Sequence, residues 1–528
     1  MVQPLPLPDG IPVLIAGGGP VGLTVAALLA RHGVRSLVVE ADANYCSGSR
    51  AICISRRSQQ ILWTAGAGPA LAAKALPWTG GRSYWRNREV LHFSMPSEPT
   101  ERFAPMVNIQ QYHVEAFVDA ALQREPKLAQ VAWSTRVTGV QPGAEGVEVE
   151  VEDASGRSRV HAGYVVACDG GRSTVREQLG LQLEGTQYEG RYVIVDIVQK
   201  TRRPVERLAW FDPPSNPGST LLMHRQPDDV WRIDYQLGDH EDGAEALKPE
   251  NILPRVRSHL AMIGEDQPWE LLWASMYNAK CLTLSSYNHG RVLFAGDAAH
   301  LVPIFGVRGL NSGLDDAANL AWKLALVLAG GADAALLDTY SQERVPATRE
   351  NIAYGAKSTE FMAPPDFAFR LMREATLRVA VDDPSVRSLV NPRQSAPVAY
   401  GDSALNGPEQ GTWASAQAAP GQPAPEALLQ GSGGAFHLTQ CFGTDFTCLV
   451  FGDGALPHAV ADLASHGIAV LDIAPEADLH GQARERYGLH DAAAGLVLVR
   501  PDGYVMGRWR GLDAAPVLAC LRDQGLQP

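Results

Sequence analysis

The chain has few cysteines, no excess of basic residues and no serine-hydrolase motif. Its 7 cysteines among 528 residues are scattered, with no Cys-x-x-Cys pair and no Cys/His spacing of a metal site. This pattern predicts a reduced protein without structural disulfides or a bound metal. A formal net charge of −13, with no basic block, argues against a nucleic-acid partner. The absence of a Gly-x-Ser-x-Gly elbow excludes the usual serine hydrolases.

Only one uncharged stretch is long enough to suggest a membrane span. It covers residues 11–30, IPVLIAGGGPVGLTVAALLA, and three consecutive glycines followed by Pro20 interrupt it. Such a break is incompatible with a spanning helix, and no positive charge precedes the stretch as in a signal peptide. We therefore expect a cytoplasmic protein without a membrane partner.

The same stretch carries a dinucleotide-binding pattern. The apolar strand VLIA runs into Gly17-x-Gly19-x-x-Gly22, a helix follows to about His32, and a second strand ends on Glu40. The glycines permit a tight turn and a close approach of backbone to a pyrophosphate. Glu40 is placed to accept hydrogen bonds from a ribose diol and would repel a 2′-phosphate, so FAD or NAD is favoured over NADP.

A second segment, FAGDAAHLVPIFGVRGLNSGLDDAANLAWKLA, favours FAD. It is interpreted as a buried strand ending at Gly296-Asp297, a glycine-rich loop over 306–313 and a helix from about Leu314 to Leu328. An acid at a strand end suits the ribityl hydroxyls of FAD. Backbone donors and a helix start suit the negative charge that develops on a reduced flavin, and NAD has no equivalent group.

Three ordered motifs in this chain resemble those of class A flavoprotein monooxygenases, the FAD-dependent aromatic hydroxylases. They are Gly17–Gly22 with Glu40, the segment ACDGGRSTVR from Ala167 to Arg176, and the Gly296-Asp297 segment continuing into LLDTYSQERVP. The resemblance adds Arg50, Gln111 and Asp169 as expected contacts. The full expected FAD-binding set is Gly17, Gly19, Pro20, Val21, Gly22, Glu40, Arg50, Gln111, Asp169, Gly296, Asp297, Pro303, Gly309, Leu310 and Asn311.

The resemblance also implies an activity. NADH or NADPH would reduce FAD, O₂ would add at flavin C4a, and the resulting hydroperoxide would transfer one oxygen to a phenolic or related aromatic substrate. Only one dinucleotide fingerprint is present, so the nicotinamide is expected to bind transiently. The alternatives are a tailoring hydroxylase of a polyketide or antibiotic, and a flavin-binding sensor without turnover.

The expected fold is α/β, with a Rossmann-like FAD-binding domain, an inserted antiparallel substrate sheet and a C-terminal thioredoxin-like domain. FAD-binding parts are assigned to 1–180 and 281–391, the substrate sheet to 181–280, a linker or an extended wrap to 392–433 and the C-terminal domain to 434–528. The thioredoxin likeness rests on resemblance to the phenol and hydroxyphenylpropionate hydroxylase branch. Cys441 and Cys448 have the wrong spacing for dithiol exchange, so this domain is expected to be structural or to form a homodimer.

Residues near the substrate are predicted less sharply. Arg308 replaces the neutral glutamine usual in the family, and it could support the reduced flavin, bind an anionic substrate or pair with Asp315 or Asp316. Aromatic and imidazole side chains of the substrate sheet are candidates for lining the cavity, and these are Tyr188, Trp210, His224, Tyr235 and Tyr277. Of these, His224, Tyr235 and Tyr277 join Arg308 as candidate catalytic residues.

Overall fold

The computed structural model describes residues 7–8, 10–238, 240–390, 394, 396–489 and 494–527. The first part holds β1 (Gly10–Ala16), α1 (Pro20–Arg31), β2 (Ser36–Val39), β3 (Cys53–Ser55), α2 (Arg56–Thr64), α3 (Gly68–Lys74), β4 (Leu76–Trp78), β5 (Gly80–Trp85), β6 (Arg88–Ser94), β7 (Met106–Asn108), α4 (Gln111–Leu122), β8 (Ala129–Ala132), β9 (Arg136–Pro142), β10 (Val147–Asp153), β11 (Gly156–Ala167) and α5 (Thr174–Gln178). The middle part holds β12 (Glu184–Gln199), β13 (Arg207–Phe211), β14 (Thr220–Arg225), β15 (Val230–Gln236), α6 (Gly243–Ala246), α7 (Pro249–Met262), β16 (Trp269–Thr283), β17 (Asn288–His289), β18 (Val292–Phe294), β19 (His300–Leu301), α8 (Gly309–Leu328), α9 (Asp338–Met362) and α10 (Phe367–Asp382). The last part holds β20 (Glu409–Gln410), β21 (Leu428–Gly431), β22 (Gly434–His437), β23 (Phe446–Phe451), α11 (His458–Ala461), β24 (Ile468–Asp472), α12 (Gln482–Arg486), β25 (Gly495–Val499), β26 (Val505–Arg510) and α13 (Ala515–Asp523).

The first sheet has a parallel core in the order β8-β2-β1-β11-β18. All residues of β2 are buried, as are the last four of β1, which explains why both strands are continuous apolar runs. Helices α1 and α8 pack against each other. The Rossmann-like arrangement predicted for the FAD-binding part is confirmed.

The second sheet is larger than the predicted substrate sheet. Its order is β19-β16-β12-β15-β14-β13-β5-β6, so the strands from 184–283 are extended by β5 and β6, which come from residues 80–94. The β13–β5 pair is parallel, whereas the sequence predicted an antiparallel sheet. The edge of β13 would otherwise present unpaired backbone groups, and β5 satisfies them. This pairing is remote in sequence and no local pattern predicts it.

Helix α8 starts at Gly309, five residues before the predicted Leu314. Gly309, Leu310 and Asn311 therefore belong to the first helical turn and not to the loop. The side chain of Asn311 bonds the backbone of Cys53 and Ser55 on β3, and its Nδ2 also donates to Val307 O, four residues earlier in the chain.

In the C-terminal region β23, β24, α12, β25, β26 and α13 follow one another, with the short helix α11 between β23 and β24. Its sheet has the order β20-β26-β25-β23-β24, and the Asp502-Gly503 turn joins β25 to β26 with Gly503 at φ +77°. The segment 392–433, assigned as a linker or an extended wrap, supplies β20 to this sheet and β21 to a hairpin with β22. Its described residues are thus an extended wrap and not a free linker. The likeness to thioredoxin stays a prediction.

No helix among the described residues is long and apolar enough to cross a membrane. In the same described part no group of three or more His, Cys, Asp or Glu side chains could hold a metal ion. The seven cysteines are all free thiols.

Candidate functional site

A cavity of about 870 Å³ lies where the first sheet meets the second. It begins at the turn after β1, passes Asp297 and the start of α8, and reaches the face of β13, β14 and β15. Carboxyl ends of parallel strands form the usual ligand crevice of such sheets. The first and second sheets therefore share a single cavity.

Three glycines shape the turn after β1. Two of them have no room for a Cβ, and the third leaves the backbone open to the cavity. Gly17 has φ +104°, and a Cβ there would lie 2.4 Å from the carbonyl oxygen of Cys168. A Cβ on Gly22 would lie 2.0 Å from the carbonyl oxygen of Gly17. Gly19 faces open space and lines the cavity, so backbone is bare where a pyrophosphate would approach.

Glu40 lines the same end of the cavity and is held by backbone donors. Its Oε2 accepts a hydrogen bond from Gly18 N at 2.6 Å, and its Oε1 accepts one from Asp42 N at 2.8 Å. These bonds fix the carboxylate beside the glycine turn, where it can accept hydrogen bonds from the hydroxyl groups of a ribose.

Pro20 and Val21 follow the turn, and both line the cavity. Pro20 is the first residue of α1, where its missing N–H is no loss. Val21 packs under Gly296 and Gly313, since a Cβ on either would lie within about 3.1 Å of the valine side chain. Gly313 thus lets α1 and α8 approach closely, and Gly296 leaves room for Val21 beside the end of β18.

Asp297 presents its carboxylate to the cavity at the end of β18. The residue before it is fixed to α8, because Gly296 N donates a hydrogen bond to Asp316 Oδ2 at 3.0 Å. Asp316 in turn contacts His300 Nε2 at 2.6 Å and Arg344 Nε at 2.8 Å, all three fully buried. The Asp297 side chain is exposed to the cavity; the desolvation caused by the surrounding protein raises its pKa, and His300 opposes that rise. The arrangement positions an acid for polyol hydroxyls.

The loop before α8 and the first turn of the helix form the neighbouring wall. Asn311 ties this wall to β3, because its Oδ1 accepts from Ser55 N at 2.9 Å and its Nδ2 donates to Cys53 O at 3.1 Å. Gly309 and Leu310 line the cavity, and the first N–H groups of a helix have no intrahelical acceptor. Val307 has φ +55°, an uncommon conformation for a β-branched residue.

Asp169 offers a test of whether FAD fits. Its Oδ2 accepts from Val175 N at 3.1 Å, whereas its Oδ1 is buried and has no hydrogen-bond partner among the described residues. Burial raises the pKa of this carboxyl, against the lowering effect of hydrogen bonds from Ser173 and Val175. Asp169 Oδ1 could accept a hydrogen bond from a ligand hydroxyl, and Gly19 leaves space for a pyrophosphate. Both features fit a dinucleotide that carries a polyol chain.

Arg50 and Gln111, expected from the family resemblance, both line the cavity. Arg50 has φ +46° and donates from Nε to Ser47 O at 3.3 Å. Gln111 accepts from Ala51 N at 3.2 Å, next to Arg50 in the chain. Pro303 does not line the cavity; it packs on α9, where a Cβ on Gly355 would lie 2.7 Å from its Cγ.

Arg308 is buried, with 3% of its surface exposed, and its guanidinium is bound to α9. Nη1 donates to Asn351 Oδ1 at 2.7 Å, and the group lies over the Tyr354 ring. The proposed pairing with Asp315 or Asp316 is wrong. Asp315 pairs with Arg57 at 3.2 Å, and Asp316 is occupied by His300 and Arg344.

The five candidates from the substrate sheet separate by strand face. His224 and Tyr277 line the cavity. The prediction that Trp210 and Tyr235 line the cavity is wrong, because both lie in a hydrophobic cluster on the opposite face of the sheet. Alternation along a strand explains this, since Arg232 and Asp234 of β15 face the cavity and Tyr235 therefore does not. Tyr188 does not line the cavity either, and its hydroxyl bonds Glu360 at 3.3 Å.

Three charged residues of the cavity floor were missed by sequence reasoning. Arg207, Arg232 and Asp234 line the cavity, yet each is no more than 4% exposed. A signal was available for two of them. In the strand VWRIDYQ, charges at Arg232 and Asp234 alternate with apolar residues, so a sheet covered on both sides must place them in a cavity.

Comparisons with known proteins agree with this geometry. A family model described as "FAD binding domain" matches residues 10–354. A 3-(3-hydroxy-phenyl)propionate/3-hydroxycinnamic acid hydroxylase of Mycolicibacterium smegmatis is 30% identical over 383 residues, covering 72% of this chain and 67% of that relative. The solved structure of the flavin-dependent monooxygenase PieE with FAD and substrate superposes with a TM-score of 0.79 at 24% identity, covering 99% of this chain and 100% of that one. A ternary complex of aklavinone-11 hydroxylase with FAD and aklavinone gives a TM-score of 0.74 at 25% identity, with coverage of 99% and 100%.

Proposed function

This chain belongs to the FAD-binding family of class A flavoprotein monooxygenases, and from that premise we propose that it hydroxylates a small phenolic compound with NADH or NADPH and O₂ as co-substrates. The observation that carries the proposal is the single cavity joining the glycine turn, Asp297 and the polar floor of the second sheet. A cofactor site and a substrate site that share one cavity place a reacting ring beside a redox group.

The residues of the first sheet would hold FAD. Gly19 and the start of α1 would take the pyrophosphate, Glu40 the ribose, and Asp169 with Asp297 the polyol hydroxyls. When bound, FAD supplies electron transfer from NAD(P)H and the activation of O₂. The first N–H groups of α8 would stabilise negative charge at the redox end of the cofactor.

The second sheet would bind the substrate and exclude water. His224 and Tyr277 lie on its cavity face, and burial lowers the pKa of His224 well below its ordinary value, so this imidazole is neutral. Tyr277 points its hydroxyl to Val302 O at 3.4 Å, which makes it a positioning group for the loop before α8. We assign Arg308 the same kind of role, because its charge is held on α9.

The domain assignments follow from the same proposal. The first sheet with α8 and α9 would form the FAD-binding domain, and the second sheet, with β5 and β6 added, the substrate domain. The C-terminal sheet would be a structural domain of thioredoxin-like type that could also form a homodimer. Free cysteines and a negative net charge support a cytoplasmic protein without a nucleic-acid partner.

The decisive experiment uses the purified protein and a panel of aromatic compounds. We expect an oxidised flavin spectrum, substrate-stimulated oxidation of NADH or NADPH, and a product carrying one additional oxygen atom derived from ¹⁸O₂. Peroxide is measured in parallel to separate coupled from uncoupled oxidation. Bound flavin without any oxygenated product across the panel would contradict the proposal.

A polyketide tailoring reaction is the second candidate. It is favoured by the similarity over 99% of this chain to aklavinone-11 hydroxylase, whose solved structure is a ternary complex with FAD and aklavinone. Including a fused polycyclic phenol in the panel distinguishes the two candidates directly.

A further inference from the structure

A row of three side chains on the second sheet meets the loop that carries Arg50. Asp196 of β12 is directly opposite Arg232 of β15 on one side and Trp273 of β16 on the other. Residues directly opposite each other in a sheet project to the same face, and Arg232 and Trp273 both line the cavity. These three residues, hereafter the anchor row, therefore lie on the cavity face.

Two members of the anchor row hold the loop just before Arg50. Trp273 packs on Gly48, where an added Cβ would lie 2.3 Å from Trp273 Cδ2. Asp196 accepts hydrogen bonds from Ser49 N and Ser49 Oγ, both at 2.8 Å. Asp196 is 3% exposed, so these bonds are shielded from water. The backbone of residues 48 and 49 is thereby fixed to the second sheet.

The backbone around Arg50 is fixed as well. The third member of the row, Arg232, donates from Nη1 to Arg50 O. From α4, Gln111 N donates to Ser49 O at 3.0 Å. Gln111 Oε1 accepts from Ala51 N at 3.2 Å. Arg50 has φ +46°, an uncommon conformation for a residue with a side chain, and such a conformation persists only where its surroundings constrain it.

A β-bulge adjoins the anchor row. Asp196 pairs with Trp273 whereas Ile197 pairs with Leu271, so Leu272 is an extra residue in β16. Bulges change the direction of side chains and often occur next to functional sites. The irregularity lies beside the two members of the row that hold the start of the loop.

We propose that Asp196, Trp273 and Arg232 are positioning residues, which hold Arg50 in this conformation so that its guanidinium meets the phosphates of FAD. This inference rests on the proposed function, because it takes FAD as the occupant of the cavity. The Arg50 side chain is exposed and lines the cavity. A guanidinium is a strong donor to phosphate, and fixing its backbone before FAD binds lowers the entropic cost of binding.

The first test is a double-mutant cycle on FAD binding. The dissociation constant of FAD is measured by fluorescence titration of apoprotein for wild type, Asp196→Ala, Arg50→Met and the variant with both changes. Arg50→Met should raise the constant about ten- to a hundredfold, because a charged hydrogen bond is lost. Asp196→Ala should raise it by at least about fivefold, and the double variant should match Arg50→Met within about twofold.

Non-additivity separates a positioning role from a merely structural one. If Asp196→Ala only loosened the fold, it would weaken FAD binding equally with or without the Arg50 guanidinium, and the two effects would add. Additive effects, or an unchanged constant in Asp196→Ala, would overturn the proposal. Asp196→Asn should restore most of the affinity, because an amide can accept from Ser49 N and donate to Ser49 Oγ.

The second test moves the loop from the side of Trp273 and leaves Asp196 intact, so it decides even if Asp196→Ala does not fold. Gly48→Ala should raise the FAD dissociation constant by at least about fivefold in wild type, and by no more than about twofold in the Arg50→Met background. The matched control is Gly33→Ala. Gly33 has the same φ of +73°, but no atom lies within 4 Å of its added Cβ and it is outside the cavity lining.

Gly33→Ala therefore introduces the same backbone strain without moving the loop, and its FAD dissociation constant should equal that of wild type. An equal loss of affinity in Gly33→Ala and Gly48→Ala would contradict the proposal. A loss in Gly48→Ala that persists in full without the Arg50 guanidinium would contradict it as well.

The positioning role and the hydroxylase function fail in different ways. If oxygenated product forms but Asp196→Ala and Arg50→Met act additively on FAD binding, the function stands and the positioning role is overturned. If the two changes are non-additive but no oxygenated product forms across the aromatic panel, the positioning role is supported and the proposed function is overturned.

Discussion

At the scale of single residues, the acids of the first sheet have unequal surroundings. Glu40 accepts two backbone hydrogen bonds at the glycine turn, whereas no hydrogen bond to the carboxylate of Asp297 occurs among the described residues. Asp169 combines one backbone bond with one unsatisfied oxygen. If the proposed site is correct, the three positions make separate contributions to FAD binding, and each contribution can be tested by titrating the apoprotein with FAD.

Replacement of Glu40 should weaken FAD binding. In Glu40→Ala the ribose loses a charged acceptor and Gly18 N loses its partner, which is expected to cost about 1.5–3 kcal/mol of binding free energy. The dissociation constant is measured by fluorescence titration of apoprotein. Glu125→Ala is the control, because Glu125 is an exposed acid outside the cavity lining and its loss should leave the FAD affinity unchanged. Unchanged FAD affinity in Glu40→Ala would contradict the assignment of the ribose site.

Replacement of Asp297 should give a graded loss of cofactor. Asp297→Asn keeps an oxygen acceptor, so it should retain more FAD after gel filtration than Asp297→Ala, which keeps none. Flavin content per protein is read from the absorbance ratio of the purified variants. If both variants retain wild-type flavin content, Asp297 does not anchor the cofactor.

At the scale of elements, α9 determines where the loop before α8 lies. It holds Arg308 through Asn351, and Asn351 Nδ2 also donates to Ser312 Oγ at 2.9 Å in the first turns of α8. Arg344 of the same helix donates to Ser312 O at 3.1 Å. The loop is thus packed against a 25-residue helix, which limits its freedom on the side away from the cavity.

A side chain at Gly355 should disturb this packing. In Gly355→Ala the new Cβ would lie 2.7 Å from Pro303 Cγ, and a proline ring cannot move aside without its backbone. We expect a loss of about 1–3 kcal/mol from overpacking, which exceeds the gain of about 1 kcal/mol in helix propensity. The melting temperature should fall and the FAD dissociation constant should rise. Gly401→Ala is the control, since no atom lies within 4 Å of its added Cβ, and an equal change in both variants would contradict the explanation.

At the scale of the whole molecule, a buried ionic network joins the FAD-binding part to the C-terminal sheet. Glu343 of α9 contacts Arg500 at 2.5 Å and Lys323 of α8 at 2.6 Å, and Arg500 contacts Asp502 at 2.5 Å. Burial lowers the pKa of Lys323 to about 8. Arg57 of α2 adds a bond to Asp502 O at 2.5 Å. Lys323 of α8 is thereby linked through Glu343 of α9 to Arg500, the residue that follows β25 of the C-terminal sheet.

Breaking this network should destabilise the protein and change its response to acid. Burial alone would raise the pKa of Glu343, but Arg500 and Lys323 outweigh burial and hold it well below its ordinary value. Its stabilisation is therefore complete above the ordinary pKa of 4.5 and is lost as the pH falls below that value. Glu343→Gln is expected to lose about 3–5 kcal/mol at neutral pH, because it leaves Arg500 and Lys323 underpaired.

The measurement is the melting temperature of wild type and Glu343→Gln between about pH 7 and about pH 3, so that the range extends well below the ordinary pKa of 4.5. Glu343→Gln should have a lower melting temperature than wild type at neutral pH. This difference in melting temperature should become smaller as the pH is lowered. The control is Glu374→Gln, because Glu374 forms only an exposed pair with Arg378 and such pairs contribute little. A gap that is constant with pH would show that the charge of Glu343 is not the stabilising feature.

Local patterns in the sequence determined the cofactor side of this protein. Strand, glycine turn, helix and Glu40 follow one another within residues 10–40, so their geometry is set by neighbours in the chain. The same is true of Gly296-Asp297 and the α8 segment, apart from the start of the helix. The family resemblance depended on these segments, and the family match confirms it.

The tertiary structure alone decided the substrate side. Arg308 bonds Asn351, 43 residues away on α9, and the carbonyl of Gln394, 86 residues away. Strand β5 reaches β13 from more than a hundred residues earlier. Which face of β15 is the cavity face depends on what packs on each side, so the alternation predicted two sets of residues but not which set meets the ligand. The sequence shows that residue 207 is an arginine but not that its Nη1 is buried without a hydrogen-bond partner. That fact depends on which residues surround Arg207 in the folded chain.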